Sequence, residues 1–91
     1  MNIVEEHHRF AVYDNDREVG EMTYSEVGNN FIIIDHTFVD YLYRGNGLAE
    51  QLVFRGVKKA RNENKKIIPL CPFAKKEFLV KKEYSDVWKQ D

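Results

Sequence analysis

The side chains best suited to carry chemistry in this sequence are the thiol of Cys71 and the imidazole of His36. A cysteine thiol becomes a strong nucleophile once it loses its proton, and a neighbouring imidazolium or helix start lowers its pKa from the free value of about 8.5. A histidine can move the protons of such a reaction. Each residue also has a structural interpretation, because a lone cysteine in an apolar strand often packs as a small hydrophobe and a strand histidine often serves as a hydrogen-bonded structural residue.

A second candidate is the glycine-rich segment 44–49, with the sequence Arg-Gly-Asn-Gly-Leu-Ala. Its glycines can adopt conformations that turn several backbone N–H groups toward one point. If a helix begins here, its first turn adds unpaired N–H donors and the positive end of the helix dipole, which suit a pyrophosphate. Arg44 can add charge-assisted hydrogen bonds to phosphate. Taken alone, the segment also fits a simple turn from a strand into a helix.

Two better-known phosphate-binding motifs do not fit segment 44–49. A dinucleotide-binding fingerprint needs a third glycine and an acidic residue on a later strand, and a Walker loop needs Gly-Lys-Ser/Thr. The sequence has neither pattern.

The first half of the chain predicts strands followed by a helix. Residues 10–13 and 19–24 predict a β-hairpin around a turn at 14–16. Residues 31–39 predict a strand, and its continuous apolar start indicates a central strand covered on both faces. From residue 47 onward, small and apolar residues recur every three or four positions and predict an amphipathic helix; they are Ala49, Leu52, Val53, Gly56, Val57 and Ala60.

The second half predicts one more strand and one more helix. Residues 67–71 predict a short strand, and Pro69 limits it to an edge or irregular position. Pro72 fits the first turn of a helix that continues over residues 73–82. The apolar anchors that we expect in this helix are Phe73, Phe78, Leu79 and Val80. Residues 84–88 predict a last turn that folds the Trp88 indole back onto the core.

The resulting order is β-β-β-α-β-α, which predicts an α+β fold with residues 1–91 as a single domain. A strand, helix and strand in succession normally form a right-handed crossover with the two strands parallel. That topology brings the carboxyl ends of both strands and the start of the first helix to one edge of the sheet, where ligands bind. We therefore expect His36, Cys71 and segment 44–49 to face the same cleft.

Composition and charge exclude several classes of protein. The 91 residues, 43% hydrophobic and 13% aromatic, suffice for one small core. A net charge of −1 with both signs interleaved predicts no nucleic-acid or membrane partner. One cysteine and three histidines allow no intramolecular disulfide and show no zinc spacing, so we expect no metal. A polar stretch at residues 1–9 lacks a signal peptide's apolar core. We expect a cytoplasmic protein, either a monomer or a weak homodimer.

Segment 44–49 resembles the acetyl-CoA signature of the GNAT acetyltransferase superfamily. That signature is Arg or Gln, two residues, Gly, one residue, then Gly or Ala, and its fixed positions are occupied by Arg44, Gly47 and Ala49. The sequence is also similar to a compact GNAT-like branch, which has His-Thr-x-Val before the loop and Pro-x-Cys after the helix; residues 36–39 and 69–71 match. An aromatic, basic second helix and Tyr84 extend the similarity over roughly residues 31–84.

The resemblance implies a minimal GNAT-like, acyl-CoA N-acyltransferase fold with a mixed sheet and a splayed parallel strand pair that holds acetyl-CoA. In such folds the first splayed strand pairs with the pantetheine arm and the glycine loop takes the pyrophosphate. The residues expected to contact acetyl-CoA are Phe38, Val39, Arg44, Gly45, Asn46, Gly47, Leu48 and Ala49.

The activity that the resemblance implies is N-acetyl transfer from acetyl-CoA to an amine acceptor. In the compact branch the cysteine and histidine matched by Cys71 and His36 are the catalytic candidates, which raises the possibility of an acetyl-Cys71 intermediate. Direct attack by the amine is the usual GNAT route, and Glu21, Asp35 or Tyr84 could assist it. A non-catalytic CoA or acetyl-CoA binding module is the alternative function, and a third is a small interaction domain in which the glycine loop is incidental.

One departure from larger GNAT proteins concerns the N-terminal region. Because only one hairpin is predicted before the central strand, we expect neither the leading strand nor the paired helices of the full-length fold. Those helices help to shape the acceptor site of larger members. The cleft is therefore expected to be open, or to be completed by a partner chain.

Overall fold

Five strands form one sheet in the same order as in the sequence, in a computed structural model that describes residues 1–90. The first four strands pair with one another in antiparallel fashion, and the fifth pairs in parallel with the fourth. The strands are β1 (Asn2–Glu6), β2 (Arg9–Asp14), β3 (Arg17–Val27), β4 (Phe31–Val39) and β5 (Lys66–Pro69). The helices are α1 (Leu48–Glu63) and α2 (Pro72–Val80), with short 3-10 helices at Tyr41–Tyr43 and Lys82–Val87. This mixed sheet with two helices confirms the predicted α+β fold class.

Strand β1 corrects the expectation that no leading strand precedes the hairpin. It pairs with β2 along its whole length, and a two-residue turn at His7 and His8 joins the two strands. Its sequence, Asn-Ile-Val-Glu-Glu, carries few apolar residues, and Ile3 is the one that packs against the core. Polar contacts supplement this packing, because Arg9 donates to the Glu6 carboxylate (2.9 Å) and Lys59 of α1 donates to that of Glu5 (2.8 Å).

Helix α1 covers one face of the sheet with the apolar face that its periodicity predicts. Its buried residues are Leu48, Leu52, Val53, Gly56, Val57 and Ala60. They pack against inward-facing strand residues such as Phe10, Met22, Ile32 and Ile34. Burying aliphatic side chains in this way contributes roughly 1.5–3 kcal/mol for each one. The core thus anchors the start of α1 next to the end of β4.

Only one face of β4 is fully buried, so the prediction of a strand covered on both faces is wrong. Ile32 and Ile34 are buried, whereas Phe31 and Ile33, which alternate with them, are half-buried on the opposite face. The continuous apolar run therefore does not indicate a second layer of helices. It gives one core face and one partly exposed face.

Helix α2 is shorter and buries a different face than predicted. Pro72 is its first residue, as expected, and Phe78 is buried, but Leu79 and Val80 are 51% and 60% exposed. The helix ends at Val80, and its buried side is formed by Ala74, Glu77 and Phe78, at spacings of three and four. The expected return of Trp88 to the core is confirmed, because its ring meets Phe78 edge-on at 5.9 Å.

Gly20 lets β3 approach β4 closely beside the end of β4. A Cβ atom at this position would lie 2.9 Å from the carbonyl oxygen of Phe38 and 3.4 Å from Cγ2 of Val39. We therefore expect Gly20→Ala to destabilise the fold by roughly 1–3 kcal/mol, because backbone must move to make room. Urea unfolding measures this effect. Ser25→Thr, at an exposed position of the same strand and with the hydroxyl that donates to Asp35 kept, should change stability by less than about 0.5 kcal/mol. An unchanged Gly20→Ala midpoint would show that the two strands separate here without cost.

Candidate functional site

A cleft of about 410 Å³ opens where β4 and β5 diverge. Pairing between the two strands ends at Ile34 and Pro69, although β4 continues to Val39. The N–H groups of Leu70 and Cys71 both donate to the Ile34 carbonyl, at 3.1 and 3.3 Å, and the chain then enters α2. The last part of β4 thus pairs with β3 on one edge and borders the cleft on the other. This is the splayed parallel pair that the sequence predicts.

The glycine loop, segment 44–49, leads into the start of α1 and places backbone N–H donors at the cleft. Gly45 and Gly47 have φ angles of +84° and +78°, values that favour glycine, and Gly47 is the N-cap of α1. The first hydrogen bond of α1 runs from the Gln51 N–H to the Gly47 carbonyl (3.1 Å). The N–H groups of residues 48–50 precede it and are the unpaired donors of the helix start. All three of these residues line the cleft. This geometry suits an anion such as a phosphate.

Arg44 is held at the cleft by its neighbours. Its Nε donates to the Val39 carbonyl (2.9 Å), which joins the loop to the end of β4. The guanidinium carbon lies 5.9 Å from the centre of the Phe38 ring and 5.8 Å from that of Tyr41, distances typical of cation–π contacts. The side chain is therefore fixed at its inner nitrogen while it still lines the cleft. Its outer nitrogens are suited to bind a phosphate.

Most of the predicted ligand-contacting residues line this cleft. They are Phe38, Val39, Arg44, Gly45, Gly47, Leu48 and Ala49. Asn46 is not among them, because its amide donates to the Tyr43 carbonyl (3.1 Å) and so stabilises the loop itself.

Four lining residues were missed by sequence reasoning: Thr37, Tyr43, Glu50 and Phe73. Thr37 lies between two predicted residues, Glu50 directly follows Ala49, and Phe73 lies two residues after Cys71, so their neighbours along the chain were the available signal. Tyr43 is placed by a tertiary contact, since its hydroxyl donates to the Asp14 carboxylate (2.7 Å). No local sequence pattern indicates that contact.

Cys71 lies beside the cleft at the start of α2. It is the N-cap of that helix, is 7% exposed, and its sulfur lies 3.6 Å from the hydroxyl oxygen of Thr37. Burial raises the pKa of the thiol, but the backbone N–H groups of Ala74 and Phe73 and the Thr37 hydroxyl lower it, and the net pKa is below the ordinary value. The thiol therefore ionises more readily than an ordinary cysteine, and it lies beside a cleft that Thr37 and Phe73 line.

His36 lies on the other face of the sheet. A β-bulge in the pairing with β3 falls between Ile34 and His36, and the two residues Asp35 and His36 both point away from the core. The His36 ring is exposed and stacks on that of Phe38 with centroids 6.5 Å apart. Within residues 1–90, the side chain that the structure brings to the Cys71 sulfur is that of Thr37.

The three residues considered for direct transfer are already engaged in other contacts. Glu21 forms an ion pair with Arg9 (2.9 Å), and Asp35 accepts a hydrogen bond from Ser25 (2.8 Å). Tyr84 is buried with its ring 5.5 Å from that of Phe78, and burial raises the pKa of its hydroxyl.

Two features are absent from residues 1–90. No group of three or more His, Cys, Asp or Glu side chains in this part of the chain is arranged to hold a metal ion. None of its helices combines the length and the apolar character needed to cross a membrane.

Comparison with known proteins agrees with this geometry. The sequence profile of the GCN5-related N-acetyl-transferase family matches residues 9–87. No curated protein sequence matches the chain. The chain is similar to a GCN5-like protein from Staphylococcus aureus solved by NMR, at 35% identity and a TM-score of 0.80; the match covers 99% of this chain and 89% of that one.

More distant structures share the fold. A GNAT family acetyltransferase from Elizabethkingia anophelis, solved with acetyl-CoA bound, is 18% identical with a TM-score of 0.60, over 67% of this chain and 40% of that one. A ribosomal-protein-alanine N-acetyltransferase from Brucella melitensis is 19% identical with a TM-score of 0.64, over 91% and 64%. The family profile spans most of the described chain and includes β4, the glycine loop and Cys71. The chain therefore belongs to the GCN5-related N-acetyltransferase family.

Proposed function

We propose that this chain transfers an acetyl group from acetyl-CoA to an amine. The observation that carries the proposal is a helix start with a glycine loop and a splayed strand end around one cleft, next to a thiol whose pKa lies below its ordinary value. Membership of the family and the acetyl-CoA bound to the Elizabethkingia anophelis relative support the same donor. The acceptor would be a nucleophilic amine.

The residues of the cleft fit the parts of acetyl-CoA. The N–H groups of residues 48–50 and the outer nitrogens of Arg44 would bind the pyrophosphate. The Val39 backbone faces away from β3, where its carbonyl accepts from Arg44, and its N–H would hydrogen-bond the pantetheine arm beside Phe38, which also lines the cleft. Bound in this way, the donor would present its thioester deeper in the wedge between β4 and α2. Cys71 lies beside this region, at the start of α2 and in contact with Thr37.

Cys71 is proposed as the first acceptor of the acetyl group. Its thiolate would attack the thioester carbonyl carbon, forming a carbon–sulfur bond while the bond to the CoA sulfur breaks. CoA would leave as a thiolate and take up a proton. The amine would then attack the acetyl-cysteine, lose a proton and regenerate the Cys71 thiolate. Each step exchanges one acyl bond for another, so no oxidant or metal is required.

His36 is proposed to serve the acceptor amine rather than the thiol. It is exposed beside Phe38 on the face of the sheet opposite α1, and Phe38 itself lines the cleft. From this side an imidazole could remove the proton that the amine loses on acetylation. If the amine attacked acetyl-CoA directly, without an acetyl-cysteine, His36 could remove the amine proton from the same position.

Ligand binding and turnover together test the proposed function. Acetyl-CoA at about 100 times its dissociation constant should stabilise the protein by roughly 2.7 kcal/mol. For a domain of this size, each kcal/mol of added stability raises the unfolding midpoint temperature by about 4–8 °C. Release of free CoA thiol should then accelerate on adding a suitable amine from a panel of polyamines, lysine peptides and small amines. Binding without turnover on any amine would favour a non-catalytic acetyl-CoA binding module. No thermal shift would contradict both functions.

A further inference from the structure

The β-bulge in β4 decides which side chain meets Cys71. On either side of it, Ile34 and Thr37 point toward the helices, although an unbroken strand would alternate and send them to opposite faces. The bulge adds one residue and thereby moves Thr37 to the cleft side and His36 to the exposed side. A regular strand would have reversed the two positions.

The Thr37 hydroxyl can serve the Cys71 sulfur in both of its protonation states. While the thiol is protonated, its S–H donates to the Thr37 oxygen across 3.6 Å. After the proton leaves, the hydroxyl can rotate and donate to the thiolate. Burial raises the pKa of the Cys71 thiol. Neutral groups around the sulfur lower it, namely the N–H groups of Ala74 and Phe73 at the start of α2 and the hydroxyl and backbone of Thr37. Among these residues, Thr37 is the one that acts on the sulfur through its side chain.

We propose that Thr37 is a positioning residue for Cys71, whose hydroxyl holds the sulfur toward the cleft and stabilises it as a thiolate. The proposal rests on the proposed function of Cys71 as acetyl acceptor. It assigns to Thr37 a hydrogen-bonding role only, because a hydroxyl, unlike an imidazole, does not take up the thiol proton. His36 is then free to act on the opposite face of the sheet.

Alkylation of Cys71 with iodoacetamide tests this assignment without acetyl-CoA. Cys71 is the single cysteine of the sequence, so intact-mass spectrometry follows its reaction directly. Thr37→Val removes the hydroxyl but keeps the branched shape, and Thr37→Ser keeps the hydroxyl. We expect Thr37→Val to react at least about threefold more slowly near neutral pH, with its rate profile displaced to higher pH. Thr37→Ser should react like the wild type, and so should His36→Gln.

The alkylation rate at high pH distinguishes an effect on ionisation of the Cys71 thiol from an effect on the reagent's access to it. If the hydroxyl acts on the thiolate, wild type and Thr37→Val should reach similar plateau rates, because the thiol is then fully ionised in both. A Thr37→Val profile identical to the wild type would overturn the proposal, as would a displaced profile in His36→Gln alone. If Thr37→Val does not fold, Thr37→Ala supplies the same comparison. Because acetyl-CoA is absent, a failure of acetyl transfer leaves this result standing and counts against the proposed function alone.

Discussion

Replacing Arg44 with glutamate should weaken acetyl-CoA binding by about 10- to 100-fold, the range expected when a hydrogen bond to a charged group is lost. The wild-type guanidinium is held at Nε by the Val39 carbonyl and lies near the Phe38 and Tyr41 rings, so its outer nitrogens are positioned before the ligand arrives. Glutamate removes this donor and places a negative charge beside the pyrophosphate. Isothermal titration calorimetry with acetyl-CoA measures the difference directly.

A matched variant separates the local effect of Arg44 from the change in net charge. Lys58→Glu makes the same change of charge on an exposed position of α1, about 15 Å along the helix from its start at 1.5 Å per residue. It should leave the affinity within about twofold of wild type, because exposed charges at that distance are largely screened. Arg44→Gln should bind with intermediate affinity. Equal losses in Arg44→Glu and Lys58→Glu would show that Arg44 makes no specific contact.

The elements with strong periodicity were predictable, and those that depend on pairing partners were not. Helix α1 follows from apolar residues three and four apart, and its buried set matches the predicted set except that Leu48 is buried and Ala49 is half-buried. Strand β1 has one core-packing residue, and its charged residues pair with residues distant in sequence, such as Lys59. A pattern confined to five residues does not contain that information.

The glycine loop was predictable because its conformation depends on local sequence. Gly45 and Gly47 adopt the left-handed conformations that glycine favours, and the start of α1 follows directly. The environment of Cys71 was not predictable in the same way. It depends on a bulge whose extra residue is defined only by the pairing of β4 with β3. The motif at residues 36–39 contains both His36 and Thr37, but the sequence does not say which of them faces the thiol.

Replacing Cys71 with alanine should lower acetyl transfer by at least about 100-fold, the scale on which loss of a covalent nucleophile acts. The affinity for acetyl-CoA should change by less than about threefold, because the loop and the start of α1 are untouched. Stability should fall only slightly, since the deletion removes a single sulfur atom from a small buried site. Cys71→Ser should also be slow, because a hydroxyl gives far less anion than a thiol whose pKa is already lowered.

Mass spectrometry of the wild type after exposure to acetyl-CoA alone should detect an acetyl group on Cys71 that disappears when an amine is added. The alanine variant should carry none. If Cys71→Ala instead turns over at the wild-type rate, the amine attacks the thioester directly and Cys71 only packs beside the cleft. His36 would then be the first residue to test as the base, through the pH dependence of kcat/KM in His36→Gln, because it is exposed next to Phe38, which lines the cleft. Turnover lost in Cys71→Ala while acetyl-CoA still binds would instead identify the thiol as the group that receives the acetyl from the donor.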